Sequence, residues 1–166
     1  MIHVPAPDPF TVFGLPRSLD LDERTLEQRY LKLSRDCHPD LNRTADAVDC
    51  IAVLQRSAEI NDAWQLLRDP WKRARALLET LAPGVMDRSK QLDPRFLADA
   101  LDLAEAVAEC SRDDAAPLRE RLRALLAEDF DAVRRALAAG DPDSAARRCH
   151  EAHYHRKALQ DLDQKS

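Results

Sequence analysis

Apolar residues recur every three or four positions along most of the chain, which is the spacing of one face of an α-helix. Leu26, Tyr30, Leu33 and Cys37 show this pattern ahead of Pro39. At about 100° per residue these four side chains share one side of a helix, so they predict a packed face. Similar runs occupy both halves of the remaining sequence, and we therefore expect an all-α protein.

Asp-Pro pairs predict where helices begin, because aspartate is a good N-cap acceptor and proline suits the first helical position. The pairs are Asp8-Pro9, Asp69-Pro70, Asp93-Pro94 and Asp141-Pro142. Residues 82–91 contain Pro83-Gly84 and show no helical period, which is typical of a linker. We therefore expect one domain over residues 8–81 and another over residues 92–166.

The two expected domains differ in their helices. The first should hold a short turn around Phe10, a helix opening at Asp20 or Asp22, a third helix from near Thr44 and a fourth from Pro70. The second should be a three-helix bundle with short connections. Its helices are expected from Asp93 to about Cys110, from about Asp114 to Ala139, and from Asp141-Pro142 onward.

Charge and composition narrow the classes of function. The net charge of −5 and the pI near 5.5 argue against a protein that wraps nucleic acid. These values do not exclude a basic face on one part of the surface. No segment approaches the ~20 apolar residues that span a bilayer, and the N-terminus lacks an export signal. The scattered cysteines form no Cys-x-x-Cys pair and are expected to be reduced thiols. We expect a cytoplasmic protein without a nucleic-acid or membrane partner.

The residue pattern does not predict an enzyme, because the chain has no glycine-rich phosphate loop and no Gly-x-Ser-x-Gly motif. The run Cys149–His155 invites a metal interpretation, but the zinc motif His-Glu-x-x-His needs a histidine where Tyr154 stands. Cys149 and His153 are four residues apart and lack an evident third ligand. We expect no catalytic residue, no cofactor and no metal.

The tripeptide His38-Pro39-Asp40 lies between two long expected helices. Its proline fixes φ and removes an amide donor, so such a loop exposes its polar side chains. The preceding helix carries basic side chains in an arc beside the apolar face, namely Arg24, Arg29, Lys32 and Arg35. Two interpretations remain open from the residues alone: an ordinary turn beside a solvated helix face, or a surface that binds a partner.

Residues 8–78 resemble a J domain through PFTVFGLP, LEQRYLKLSRDCHPD and SAEINDAWQLLRDPWKRARALL, and the whole chain resembles the HscB family of co-chaperones. The resemblance implies docking on an HscA-like Hsp70 and stimulation of its ATPase, with no chemistry by the J protein itself. The residues it assigns to this contact are His38, Pro39, Asp40, Arg29, Lys32 and Arg35. The sequence departs from the family at Cys37, often aromatic, and at Leu41, often basic.

On the helix from Asp93, Leu97 and Leu101 fall outside the apolar arc and lie beside carboxylates. They belong either to a wide buried face or to a binding surface. The resemblance assigns a scaffold-binding role to Leu97, Ala98, Leu101, Asp102, Glu105, Glu109 and Tyr154. Ala98 is smaller and Asp102 shorter than the family's usual residues. Tyr154 also projects away from the apolar arc of its own helix.

The resemblance implies a specific function: delivery of an IscU-type iron–sulfur scaffold to the Hsp70, in support of cluster assembly or transfer. Two alternatives remain. A general J protein would deliver unfolded clients instead, and a helical adaptor outside the chaperones would use His38-Pro39-Asp40 only as a turn.

Overall fold

The computed structural model describes residues 7–38, 47–111 and 113–165, and every regular element within them is an α-helix. The expected all-α class is therefore confirmed. The chain divides into two compact units, with the boundary between Thr80 and Leu81. The helices are α1 (Pro9–Phe13), α2 (Glu23–Asp36), α3 (Ala47–Leu67), α4 (Pro70–Leu81), α5 (Val85–Arg88), α6 (Pro94–Glu109), α7 (Ala115–Ala138) and α8 (Pro142–Lys165).

Aspartate caps open the helices as the Asp-Pro pairs predicted. The cap carboxylates accept backbone N–H bonds from Phe10 at 3.1 Å, from Trp71 at 2.8 Å, from Arg95 at 2.7 Å and from Ser144 at 2.9 Å. Of the two candidates for α2, Asp22 is the cap and accepts from the Thr25 N–H at 2.9 Å. Each such cap stabilises a helix start by about 1 kcal/mol.

In the first unit, α1 packs against α2 and α3, and α2 packs against α3. The largest fully buried side chains of this unit are Phe10, Leu26, Ile60, Leu67 and Leu78. Tyr30 and Trp64 stack with their ring centroids 4.5 Å apart, which joins α2 to α3. Of the predicted apolar face, Leu26 is buried, and Tyr30, Leu33 and Cys37 are half-buried.

In the second unit, α6 and α7 both pack against α8, which confirms the expected three-helix bundle. An apolar core cluster joins the second half of α6, the first part of α7 and the second half of α8, and it contains Leu103, Val107, Ala115, Leu122, Ala158 and Leu162. Nearer the start of α8 the buried side chains are small, as at Ala145, Cys149 and Ala152. Small side chains let the helix axes approach closely.

The stretch expected to be a linker carries the four-residue helix α5. Its Val85 and Met86 are buried, and α5 packs against α8. Arg88 forms a bidentate ion pair with Asp143, in which Nε donates to Oδ1 at 2.8 Å and Nη2 donates to Oδ2 at 3.2 Å. These hydrogen bonds lower the pKa of the Asp143 carboxyl. A single helical turn is too short to show a helical period, which is why the sequence pattern did not predict α5.

Arg73 is a buried cation in the first unit. The residue is 5% exposed, and its Nε and Nη1 atoms have no hydrogen-bond partner among the described residues. Desolvation lowers the pKa of Arg73, while the carboxylates of Glu23, Asp20 and Asp69 act in the opposite direction. Each unmet buried donor costs about 1–3 kcal/mol, so we expect this side chain to weaken the fold that surrounds it.

We expect Arg73→Met to raise the free energy of unfolding by about 1 kcal/mol, because methionine fills a similar volume without unpaired donors. Thermal and urea unfolding of the full chain would measure the change. Lys72→Met is the matched control, since Lys72 is the exposed neighbour on α4 and should shift stability little. A destabilised Arg73→Met protein would show that the guanidinium contributes a net favourable interaction.

Candidate functional site

The basic residues of α2 lie on its exposed side. Arg29, Lys32 and Arg35 are exposed, whereas Leu26 is buried and Tyr30 is half-buried. The helix therefore divides into a packed face and a basic face, as its sequence predicted. Lys32 and Arg35 therefore place positive charge at the surface of α2.

The chain leaves α2 at the predicted docking motif. Cys37 is the C-cap of the helix, and the following His38 is exposed, with its backbone N–H donating to the Arg35 carbonyl at 3.1 Å. Pro39, Asp40 and Leu41 lie outside the described residues. The role of the tripeptide therefore stays a prediction.

Arg29 differs from the other basic residues of this face. Its Nη1 donates to the Phe13 carbonyl at 2.7 Å and to the Gly14 carbonyl at 2.9 Å, at the end of α1. Gly14 adopts φ 59°, and a Cβ there would lie 3.0 Å from Arg29 Nη1. The guanidinium thus completes the C-terminal cap of α1 and ties that helix to α2.

The leucines outside the apolar arc of α6 are exposed: Leu97 by 41% and Leu101 by 61%, while Leu103 is buried. The alternative of a wide buried face is therefore wrong. Tyr154 of α8 is 42% exposed. The remaining predicted scaffold-binding residues are also exposed, namely Ala98, Asp102, Glu105 and Glu109.

A groove of about 230 Å³ lies between α6 and α8, with Tyr154 in its wall. Small and apolar side chains contribute to its lining, namely Ala100, Ala104, Val107 and Ala158. On the α8 side, Lys157 and Asp161 form an ion pair at 2.6 Å. Sequence reasoning did not predict this groove. The only sequence signal is the spacing of Ala100 and Ala104, which are four residues apart on α6. Only the packed bundle brings them to the same groove as Ala158 of α8.

Comparison with known proteins gives the chain a family. A DnaJ domain model matches residues 8–76, and a model described as the HSCB C-terminal oligomerisation domain matches residues 92–163. A co-chaperone protein HscB homolog of Bordetella avium is 33% identical over 135 residues, covering 81% of this chain and 77% of the relative. The chain belongs to the HscB family of co-chaperones.

Solved HscB structures share the fold over nearly the whole chain. The chaperone HscB from Vibrio cholerae has a TM-score of 0.84 at 26% identity, covering 96% of this chain and 97% of that one. The human co-chaperone protein HscB has a TM-score of 0.86 at 25% identity, covering 98% and 83%. The N-terminal unit is thus a J domain, and the C-terminal unit is the domain characteristic of HscB proteins.

The side chains of the histidine-rich run on α8 have different partners and do not gather at one place. His150 Nε2 hydrogen-bonds the Met86 carbonyl at 2.7 Å, His155 Nδ1 hydrogen-bonds Asp129 at 2.6 Å, and Cys149 is buried. Across the described ranges, no three or more histidine, cysteine or acidic side chains gather as metal ligands would. Likewise, none of the described helices combines the length and apolar character of a membrane span.

We expect Arg29→Met to lower the free energy of unfolding by about 1 kcal/mol, because two hydrogen bonds to the end of α1 are lost. Lys32→Met is the matched control, one turn farther along the same exposed face, and should leave stability unchanged. Urea unfolding of both variants would measure the difference. Equal stabilities would show that the Arg29 bonds contribute nothing net in water.

Proposed function

We propose that this co-chaperone stimulates the ATPase of an HscA-like Hsp70 and delivers an IscU-type iron–sulfur scaffold to it in the cytoplasm. The observation that carries the proposal is the exposed apolar surface of Leu97, Leu101 and Tyr154 on the HscB-type domain of a chain that also has a J domain. Large apolar side chains gathered at a surface favour protein binding over solvation. The second unit therefore serves as the client-binding domain.

The J domain supplies the contact with the Hsp70. His38, Pro39 and Asp40 would meet the ATPase domain directly, supported by the positive charges of Lys32 and Arg35 on α2. Such exposed charges mainly raise the association rate and make binding salt-dependent. The catalytic groups belong to the Hsp70, so the J domain acts by favouring its hydrolysis-competent state.

The C-terminal unit supplies the contact with the scaffold. Leu97, Leu101 and Tyr154 would form the desolvated centre of the interface, because aromatic and large apolar anchors account for most binding energy. Asp102, Glu105 and Glu109 form an acidic rim on the same helix, which would steer a partner with basic residues at its contact site. The groove beside Tyr154 can receive an apolar side chain of the scaffold.

Separate surfaces on one chain let the co-chaperone hold both partners at once. The covalent connection raises the effective concentration of the scaffold near the Hsp70, typically to the millimolar range. A general J protein would achieve the same with any unfolded client. The compact surface of two leucines and a tyrosine with an acidic rim favours one folded partner, because it presents a defined shape and charge.

We expect His38→Gln to abolish stimulation of the Hsp70 ATPase while leaving the fold intact, because His38 is exposed at the end of α2. Single-turnover ATP hydrolysis, with circular dichroism of the variant, would measure this. Full stimulation by His38→Gln would contradict the J-domain mechanism.

Arg35→Gln should reduce stimulation of the Hsp70 ATPase most strongly at low salt, because salt screens exposed charges.

We expect the double variant Leu97→Ala, Leu101→Ala to weaken scaffold binding by about 2 kcal/mol, a roughly 30-fold rise in Kd. Titration calorimetry with an apo IscU-type scaffold would measure it. Leu54→Ala is the matched control, because Leu54 is 57% exposed but belongs to the J domain. Unchanged scaffold binding, or full replacement of the scaffold by unfolded peptides in the ATPase assay, would favour the general J protein.

A further inference from the structure

A buried polar pair joins α7 to α8 in the C-terminal unit. Asp129 is 3% exposed and His155 is 9% exposed, and Nδ1 of the histidine lies 2.6 Å from Oδ2 of the aspartate. Arg148 Nη1 lies 3.5 Å from the other carboxylate oxygen and 2.8 Å from Glu151. A carboxylate is costly to bury even when it is paired, so stability alone does not account for this pair.

His155 contacts the side chain that supports the proposed scaffold surface. The Phe96 ring lies edge-on to His155, with centroids 5.7 Å apart, and edge-on to Tyr154, with centroids 5.8 Å apart. Phe96 is therefore held between two consecutive rings of α8, and it directly precedes Leu97 on α6. A chain of contacts runs from Asp129 through His155 and Phe96 to Tyr154.

The His155 ring is largely buried, but it also borders a cleft. His155 and Phe96 line this cleft of about 540 Å³, whose wall also includes Asp99, Glu128 and Arg121. Protein atoms therefore do not enclose the imidazole on every side. The hydrogen bond from Nδ1 to Asp129 selects one orientation, because the buried carboxylate needs that donor.

We infer that Asp129 and His155 are positioning residues for scaffold binding: by fixing the His155 ring they hold Phe96, and through it Tyr154, in the orientation that the partner meets. The inference rests on the proposed function. An exposed aromatic side chain that is already ordered loses less conformational entropy on binding. The pair therefore contributes to affinity without touching the partner.

A purely structural pair would behave differently. It would change the stability of the α7–α8 contact and leave the Tyr154 ring where it is. The distinction can be measured in the absence of any partner, because the chain has two tyrosines and Tyr30→Phe identifies the Tyr154 signals. Aromatic proton–carbon NMR spectra of the full chain then report directly on the ring.

We expect Asp129→Leu to shift the Tyr154 ring signals and to weaken binding of an apo IscU-type scaffold roughly fivefold. Asp129→Asn keeps a hydrogen-bond acceptor. Its Tyr154 signals and its scaffold affinity should therefore be intermediate between those of Asp129→Leu and those of the unmodified protein. Asp131→Asn is the matched control, because Asp131 is an exposed aspartate of α7 paired with Arg134. It should leave the Tyr154 signals and the affinity unchanged.

A double-mutant cycle completes the test. If Asp129 acts through Phe96, Asp129→Leu should cost no further affinity in a Phe96→Leu background. Additive losses, or unaltered Tyr154 signals in both Asp129 variants, would overturn the inference. Should Asp129→Leu fail to fold, Asp129→Asn and His155→Gln provide the same readouts. If instead the Leu97 and Leu101 variants bind the scaffold normally, the proposed function fails, while the Tyr154 signals still decide the positioning role.

Discussion

The packing of α6 and α7 against α8 is the constraint on which the C-terminal unit depends. The buried face of α8 is made largely of small side chains, such as Ala145 and Ala152, so the neighbouring helices can approach it closely. This contact decides which side of α6 is buried, and Leu97 and Leu101 consequently remain at the surface. Tyr154 projects from α8 next to Phe96 of α6, so one packing arrangement creates both parts of the proposed client surface.

The J domain shows how one charged surface can have two physical roles. Arg29, Lys32 and Arg35 have the same charge and lie on the same face of α2. Arg29 is nevertheless engaged with the carbonyls of Phe13 and Gly14, whereas Lys32 and Arg35 are the better placed to meet a partner. We therefore expect substitutions on this face to change stability at Arg29 and, under the proposed function, docking at Lys32 and Arg35.

Polar groups are buried in each unit with different consequences. Arg73 of the J domain has two donors, Nε and Nη1, without a partner in the part of the chain that the structure describes. Asp129 and His155 form a hydrogen bond with each other, and the His155 ring lies edge-on to Phe96. Burial of charge is costly in both places. In the second case ring contacts continue from His155 through Phe96 to Tyr154 of the proposed client surface, which is why the pair suggests positioning.

The sequence alone determined the helical class and the helix starts at the Asp-Pro pairs, because these depend on local capping and on the helical period, and it also carried the family resemblance. It left open whether Leu97 and Leu101 are buried, and the packed bundle decided that they are exposed. The α5 turn, the engagement of Arg29, the groove beside Tyr154 and the Asp129–His155–Phe96 contacts were decided only by tertiary structure. Each joins residues distant in sequence or too few to form a period, so no local pattern encodes them.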